Sequence, residues 1–143
     1  MREDDPRTFV DTNILIYAHD RSAGHKHEVA RDLIRSLWDS GRGCLSVQVL
    51  QEFYVNITRK VPHPLNVAEA ADIVSDLSTW DVHTPTAADV LDAIRLAERY
   101  GITFWDAMIL VSAQSLGCEV VWSEDLNASQ RYGSVQVLNP LAR

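Results

Sequence analysis

The chain has 143 residues, 46% of them hydrophobic, and a formal net charge of −7. This suits one globular domain, taken as residues 1–143, and with no apolar run of about 18 residues we expect no membrane-spanning segment. The excess of acids excludes binding to nucleic acid by overall charge alone, but it does not exclude a nuclease, because acids that bind a metal count in the sum. The charged N-terminus lacks the apolar core of a signal peptide, and Cys44 and Cys118 fit as small core residues, so a cytoplasmic protein is expected.

Short apolar runs alternate along the chain with longer stretches of helical period. Predicted strands lie at 8–10, 44–46, 80–83, 119–122 and 135–138. Predicted helices lie at 13–18, 25–40, 47–60, from 66, at 86–100 and at 104–116. A turn is predicted at 22–24 and a loop at 61–65, Gly41 and Gly43 are predicted to end the helix at 25–40, and Ser46 is predicted to cap the helix at 47–60. This alternation predicts a parallel sheet with helices on both faces, in which ligands bind at the carboxyl ends of the strands.

Two acids follow predicted strands directly. Asp11 comes after the first strand and Asp125 shortly after the fourth. Each also has an ordinary explanation, Asp11 as an Asx-type cap of the next helix and Asp125 as part of a polar turn. Both nevertheless lie where a metal ligand of an open α/β sheet would be found.

Two more acids lie on predicted helices. Glu52 lies away from the apolar stripe of its helix, where a solvated face is the simpler interpretation. Asp106 opens the almost wholly apolar helix 104–116, where Thr103 as N-cap would also explain an acid three residues later. If these two converged with Asp11 and Asp125, four carboxylates would form a hard-oxygen site for a divalent metal.

Four segments, in this order along the chain, resemble the PIN-domain ribonucleases and most closely their VapC-type toxins. They are Phe-Val-Asp-Thr-Asn-Ile-Leu at 9–15, Gln-Glu-Phe at 51–53, Trp-Asp-Ala-Met-Ile at 105–109 and Ser-Glu-Asp-Leu-Asn at 123–127. The resemblance extends over residues 8–140. The first and third segments together are fairly specific, whereas Gln-Glu-Phe alone is not.

The resemblance implies a three-layer α/β/α fold with a central, mainly parallel sheet, and an endoribonuclease that depends on Mg²⁺ or Mn²⁺. It also implies a VapB-like antitoxin as partner and a homodimer. The family's four acids match Asp11, Glu52, Asp106 and Asp125, all as catalytic residues and metal ligands, and its supporting polar residues match Asn13 and Ser123. Glu124 leaves open which of two adjacent acids touches the metal.

RNA binding by an acidic chain requires local positive charge. We predict RNA contacts at Arg59 and Arg131, which flank predicted catalytic segments. Other basic residues, for which a solvated surface charge is the simpler interpretation, are Arg21, Lys26, Arg31, Arg35 and Lys60.

Other classes fit less well. A haloacid-dehalogenase phosphatase requires a second Asp two residues after the first, where this chain has Asn13, and a response-regulator receiver requires a late lysine at a strand end. Two alternatives remain: a PIN-like RNA-processing nuclease outside a toxin system, and a non-catalytic binding module with an acidic pocket. Retention of all four acids argues against the second.

Overall fold

The computed structural model describes residues 5–127 and 129–142. Its strands are β1 (Thr8–Val10), β2 (Gly43–Ser46), β3 (Asp81–His83), β4 (Val120–Trp122), β5 (Arg131–Tyr132) and β6 (Val135–Leu138). Its helices are α1 (Thr12–His19), α2 (His25–Ser40), α3 (Val47–Arg59), α4 (Val67–Leu77), α5 (Ala87–Tyr100) and α6 (Phe104–Ser115), with a short 3-10 helix at Arg21–Ala23. No helix within the described ranges is long and apolar enough to cross a bilayer.

One six-stranded sheet forms the centre, with strand order β3-β2-β1-β4-β6-β5. All neighbouring pairs are parallel except β5 and β6. The chain moves outward from β1 through β2 to β3 and then returns to the other side of β1 as β4. The strand order therefore reverses at β1, and the carboxyl ends of strands beside such a reversal form the usual binding crevice of an open α/β sheet.

Helices cover the sheet in two groups. Helix α1 packs on both α2 and α3, α3 also packs on α4, and α2 and α3 contact β2. Helix α5 packs on α6, which contacts β2, β4 and β6. Seven consecutive residues of α6, Ala107 to Ala113, are buried, as the apolar sequence predicts. The predicted fold, a mainly parallel sheet flanked by helices, is confirmed.

The predicted helix starts are also found. Ser46, Asn66, Thr86 and Thr103 each cap a helix by accepting a hydrogen bond from a backbone N–H of the first turn. Asn66 and Thr86 form reciprocal capping boxes with the acids three residues later. These caps satisfy backbone donors that would otherwise lack partners.

Two local predictions were wrong, and one strand was missed. Gly43 does not end α2, which Gly41 closes in a left-handed conformation; Gly43 instead begins β2. A Cβ on Gly43 would lie 2.5 Å from the Trp80 ring, so the side chain is excluded by close packing. The predicted turn at 22–24 is mostly a 3-10 helix. Strand β5 was not predicted, because two residues are too few to show a periodicity.

Candidate metal centre

Asp11 lies at the centre of the crevice. It directly follows β1, and its backbone N–H donates to the carbonyl of Trp122 on β4 (3.0 Å). One carboxylate oxygen accepts from the backbone N–H of Thr12 (2.7 Å), which makes Asp11 the N-cap of α1. The other accepts from the Ser123 hydroxyl (2.8 Å). Asp11 is only 6% exposed, and the cap interpretation and the site interpretation are compatible.

Burial raises the pKa of Asp11 from 3.8 to about 6. The hydrogen bonds from Ser123 and Thr12 oppose this rise, and repulsion from Asp125 and Glu52 adds to it. A carboxylate in this setting is held in place by neutral donors while its negative charge is poorly compensated.

Ser123 organises the loop after β4. Its Oγ accepts from the backbone N–H groups of Asp125 (3.1 Å) and Leu126 (3.2 Å) while its hydroxyl donates to Asp11. The side chain of Ser123 is fully buried, whereas Asp125 is exposed. One hydroxyl therefore fixes both the buried acid and the backbone of the loop that carries the exposed acid.

Glu52 reaches the same crevice from α3. Its Oε1 accepts from the Thr12 hydroxyl (3.1 Å) and from the Gln48 amide (3.3 Å). The same Gln48 amide donates to the carbonyl of Trp105 at the start of α6 (3.4 Å). Thr12 and Gln48 were not predicted as site residues, although Thr12 lies inside the first motif and Gln48 one helical turn before Glu52.

Asp106 lies in the first turn of α6, and its backbone N–H donates to the Thr103 hydroxyl (3.1 Å). Burial raises the pKa of Asp106, with Thr103 opposing and the charge of Asp125 adding to the rise. Asp125 thus acts electrostatically on both Asp11 and Asp106. The four predicted acids are neighbours in one region of the surface.

Glu124 is turned to other partners. Its two carboxylate oxygens accept from the Tyr17 hydroxyl and from the Lys26 ammonium, each at 2.6 Å. Burial tends to raise its pKa, but the bonds from Lys26 and Tyr17 outweigh burial and lower it. Both oxygens of Glu124 are therefore engaged, whereas Asp125 forms no ion pair among the described residues.

Asn13 supports the same loop. Its Oδ1 accepts from the backbone N–H of Glu124 (3.2 Å). Its Nδ2 is buried and has no hydrogen-bond partner in the described part of the chain. Asn13 therefore connects α1 to the loop after β4, and its Nδ2 group remains available as a donor within the described part of the chain.

The donor set fits a hard divalent cation. Four carboxylates supply oxygen ligands, and among residues 5–127 and 129–142 none of them forms an ion pair with a basic side chain. Burying Asp11 without a counter-charge is costly, and a bound cation would offset that cost. Within the same ranges, however, no three acidic, histidine or cysteine side chains are close enough to hold a metal together. The acids are near one another without forming a complete ligand shell.

The two arginines predicted to contact RNA lie apart. Arg59 is exposed at the last turn of α3, and Arg131 is exposed on β5. Their contact with RNA stays a prediction.

Comparison with known proteins identifies the family. The model of the PIN domain matches residues 8–133, and comparison with curated protein sequences finds no match.

Several solved structures share the fold. A toxin–antitoxin complex from Klebsiella pneumoniae is 20% identical, covers 93% of this chain and 97% of its own, and superposes with a TM-score of 0.68. VapC20 from Mycobacterium tuberculosis, described as a Sarcin-Ricin loop cleaving toxin, is 21% identical over 82% of this chain and 91% of its own, with a TM-score of 0.62. VapBC from Salmonella typhimurium bound to DNA is 20% identical to this chain. The match covers 93% of this chain and 97% of the Salmonella chain, with a TM-score of 0.62.

Proposed function

This chain belongs to the PIN domain family, and we propose that it is a divalent-metal-dependent endoribonuclease, the toxin of a toxin–antitoxin pair. The observation that carries the proposal is Asp11, a buried carboxylate at the reversal of strand order, fixed by Ser123 and close enough to Asp125 and Glu52 to be repelled by their charges. Structural likeness to a toxin described as cleaving RNA supports the choice of substrate.

The acids have different roles in this proposal. Asp11 and Asp106 are the main ligands for Mg²⁺ or Mn²⁺, Asp125 binds directly or through water, and Glu52 orients the attacking water or completes a second metal site. The bound metal would lower the pKa of a water and stabilise the attacking and leaving oxygens of an in-line displacement at phosphorus. Ser123 and Thr12 hold the oxygens of Asp11 and Glu52 that they contact.

An exposed aromatic ring next to the acids favours a single-stranded substrate. Trp105 is 63% exposed and immediately precedes Asp106. Exposed aromatic side chains stack on unpaired bases, and such stacking is worth about 1–3 kcal/mol per base. We infer that RNA is cut where its bases are unpaired.

The direct test is cleavage of total RNA by the purified chain with Mg²⁺, with Mn²⁺ and with EDTA. We expect discrete products with either metal and none with EDTA. Metal-independent products, or no products with both metals, would reject the proposed activity. Phosphatase activity on a small aryl phosphate would favour the phosphatase alternative.

Metal binding has a second measurement that does not depend on turnover. Metal at 100 times its Kd stabilises the folded state by about 2.7 kcal/mol, which for a domain of this size is a rise of about 5–10 °C in Tm. An EDTA-treated sample titrated with Mn²⁺ should show this rise, and Asp11→Asn should show a much smaller one. An unchanged Tm in the native chain would argue for the non-catalytic binding module.

An antitoxin partner is proposed from the structural neighbours, several of which are toxin–antitoxin complexes. In this proposal the chain acts in the cytoplasm on cellular RNA until a VapB-like protein blocks the acidic site. Expression of the chain alone should arrest growth, and co-expression of the protein encoded beside it should restore growth. Arrest that persists unchanged in Asp106→Asn would show that the effect is not nucleolytic. No arrest by an active nuclease would favour an RNA-processing enzyme outside a toxin system.

We also propose a homodimer through the outer face of α5. Val90, Leu91 and Ile94 follow one another on that face and are 38%, 53% and 49% exposed. Light scattering should show a dimer for the native chain and a monomer for Leu91→Glu/Ile94→Glu. Val67→Glu, at an apolar position 64% exposed on α4, is the matched control and should leave the dimer intact.

A further inference from the structure

A basic cleft lies at the far end of α1 from Asp11. It has a volume of about 540 Å³ and is enclosed by the end of α1, the 3-10 helix, α2 and α4. Three arginines line it: Arg21 from the 3-10 helix and Arg31 and Arg35 from α2. Three of the chain's 13 lysine and arginine residues thus line one concavity of a protein whose net charge is −7.

These guanidinium groups are available to a ligand. Arg31 and Arg35 share the exposed carboxylate of Asp32 at 3.3 Å and 3.9 Å, and their side chains are 39% and 68% exposed. Exposed pairs of this kind contribute little and exchange readily with another anion. Glu69 also lines the cleft, but its Oε1 accepts from the backbone N–H of Asn66 in the capping box of α4. The cleft therefore keeps an excess of positive charge.

Two histidines add a second kind of group. The Nδ1 of His19 lies 2.8 Å from the carbonyl of Leu15, and the Nδ1 of His27 lies 2.9 Å from the carbonyl of Tyr17. A carbonyl can only accept, so each Nδ1 carries a proton, and in the neutral tautomer with this arrangement Nε2 is an acceptor. Burial lowers the pKa of His19, which favours that neutral form. An acceptor beside guanidinium groups suits the 2′-hydroxyl of a ribose beside a phosphate.

The cleft also has a definite position relative to the acids. Helix α1 begins beside Asp11 and ends at His19, and its eight residues span about 12 Å. Helix α3 contacts both ends of α1. The Thr12 hydroxyl donates to Glu52, and the ring of the next residue, Phe53, packs against the His19 ring with 5.3 Å between the ring centroids. A short stretch of single-stranded RNA is long enough to occupy the cleft and the acidic centre together.

We propose that this cleft binds the sugar-phosphate backbone of the RNA strand through Arg21, Arg31 and Arg35, away from the bond that is cut. The inference rests on the proposed RNA substrate and adds a second contact region for it. Arginine forms bidentate hydrogen bonds with phosphate, and contacts of this kind fix position on the strand without reading its sequence.

The test compares two pairs of arginines with the same spacing. Arg31→Gln/Arg35→Gln removes two charges from the cleft, and Arg95→Gln/Arg99→Gln removes two from α5, where Arg95 likewise pairs with a nearby aspartate. Binding of a labelled single-stranded RNA of about 16 nucleotides, the upper range for a single-strand site, is measured by fluorescence anisotropy in EDTA at several salt concentrations. Circular dichroism and Tm verify that both variants fold.

We expect Arg31→Gln/Arg35→Gln to weaken RNA binding by about tenfold to a hundredfold, because glutamine keeps a neutral donor but loses the charge-assisted bidentate bonds to phosphate. The slope of log K against log salt should become shallower by about 1.4, at roughly 0.7 per phosphate contact. The α5 pair should change both quantities far less. Equal effects of the two pairs, or no effect of the cleft pair, would overturn the assignment.

Three further outcomes separate this inference from an acidic protein ligand and from the proposed nuclease activity. If the cleft pair binds RNA normally but loses binding to poly-glutamate, the cleft serves an acidic protein segment and the RNA assignment is wrong. If the native chain cleaves RNA, and the Arg31→Gln/Arg35→Gln and Arg95→Gln/Arg99→Gln variants bind RNA with the same affinity, this inference fails while the proposed nuclease stands. If the native chain binds RNA through the cleft without cleaving it, the nuclease fails and the cleft stands.

Discussion

The two ends of α1 carry opposite charge and are built in different ways. At the first turn, Asp11 is buried, accepts hydrogen bonds from Thr12 and Ser123, and is surrounded by other acids. Beyond the last turn, Arg21, Arg31 and Arg35 line an open cleft. This arrangement also follows the helix dipole, which favours negative charge at the N-terminus and positive charge at the C-terminus.

In the proposed nuclease this difference separates catalysis from RNA binding. The acidic end depends on hydrogen bonds between segments far apart in sequence, so changes there should affect turnover, metal binding and pH dependence. The basic end consists of exposed side chains on helix surfaces, so changes there should affect RNA affinity and its salt dependence and leave the fold intact. Variants at the two ends of α1 test whether these two sets of effects are independent and how large each one is.

The largest effect is expected at the metal ligands. Asp11→Asn and Asp106→Asn should each lower the RNA cleavage rate by more than about 100-fold, beyond the 10–100-fold typical of residues that only support a ligand. Circular dichroism should stay native, and RNA affinity in EDTA should not fall, because a negative charge has been removed. Asp92→Asn, which changes a 60% exposed acid on α5, is the control. Cleavage at the native rate by either variant would remove that acid from the catalytic core.

The pH dependence of stability should reveal Asp11 directly. Its folded-state pKa of about 6 lies above its ordinary value of 3.8, so the folded state prefers the protonated form. Its contribution to the free energy of unfolding is fully present below about pH 4 and is lost as pH rises through about 6. At about 1.4 kcal/mol per pH unit the loss is on the order of 3 kcal/mol.

Ionisable groups other than Asp11 also contribute to the pH dependence of stability. The quantity to compare is therefore the difference in the free energy of unfolding between the native chain and Asp11→Asn. Urea unfolding in EDTA from pH 4 to 7 should show the native chain losing stability relative to Asp11→Asn as pH rises. Parallel curves for the two proteins would mean that Asp11 is not held in a poorly compensated environment.

A smaller loss is expected at Ser123. Ser123→Ala removes a donor to Asp11 and an acceptor for the backbone N–H groups of Asp125 and Leu126. Losing such a supporting contact typically reduces metal affinity or activity by about 10–100-fold. Mn²⁺ affinity by calorimetry and the cleavage rate should both fall in this range, whereas Ser36→Ala on the exposed surface of α2 should leave them unchanged. An effect no larger than that of Ser36→Ala would place Ser123 outside the site.

The smallest effect is expected at the two arginines outside the cleft. Arg59→Ala and Arg131→Ala should each weaken RNA binding modestly and make the salt slope shallower by about 0.7, the value for one phosphate contact on a single strand. Arg95→Ala on α5 is the control. If either substitution leaves the salt slope unchanged, that arginine does not contact a phosphate of the RNA.

Local sequence signals predicted most of the fold. Caps such as Ser46 and Thr86, and the buried helix that Asp106 opens, follow from neighbouring residues and a regular period. Strand β5 escaped because its two residues are defined only by pairing with β6. Gly43 was misassigned because its role depends on Trp80, a residue distant in sequence.

The same distinction holds for the candidate site. Asp11 and Asp125 could be placed at strand ends from the pattern alone, and the resemblance supplied the grouping with Glu52 and Asp106. The ambiguity at Glu124 needed the positions of Tyr17 and Lys26, which lie about a hundred residues earlier. The cleft was not predicted because its arginines come together only when the 3-10 helix contacts α2, and because the opposite wall is supplied by α4, which lies much later in the sequence.

The hydrogen bond between Asp11 and Ser123 joins residues 112 positions apart. Strand β1, although first in the chain, lies at the centre of the sheet and acquires its second neighbour only when β4 has been made. Contacts of such large sequence separation form slowly, because the entropy of closing a long loop is lost before the contact repays it. During synthesis, chains that end before β4 have the first acid and none of its partners from the loop. Catalytic competence would therefore arise late in synthesis, after nearly the whole domain has emerged from the ribosome.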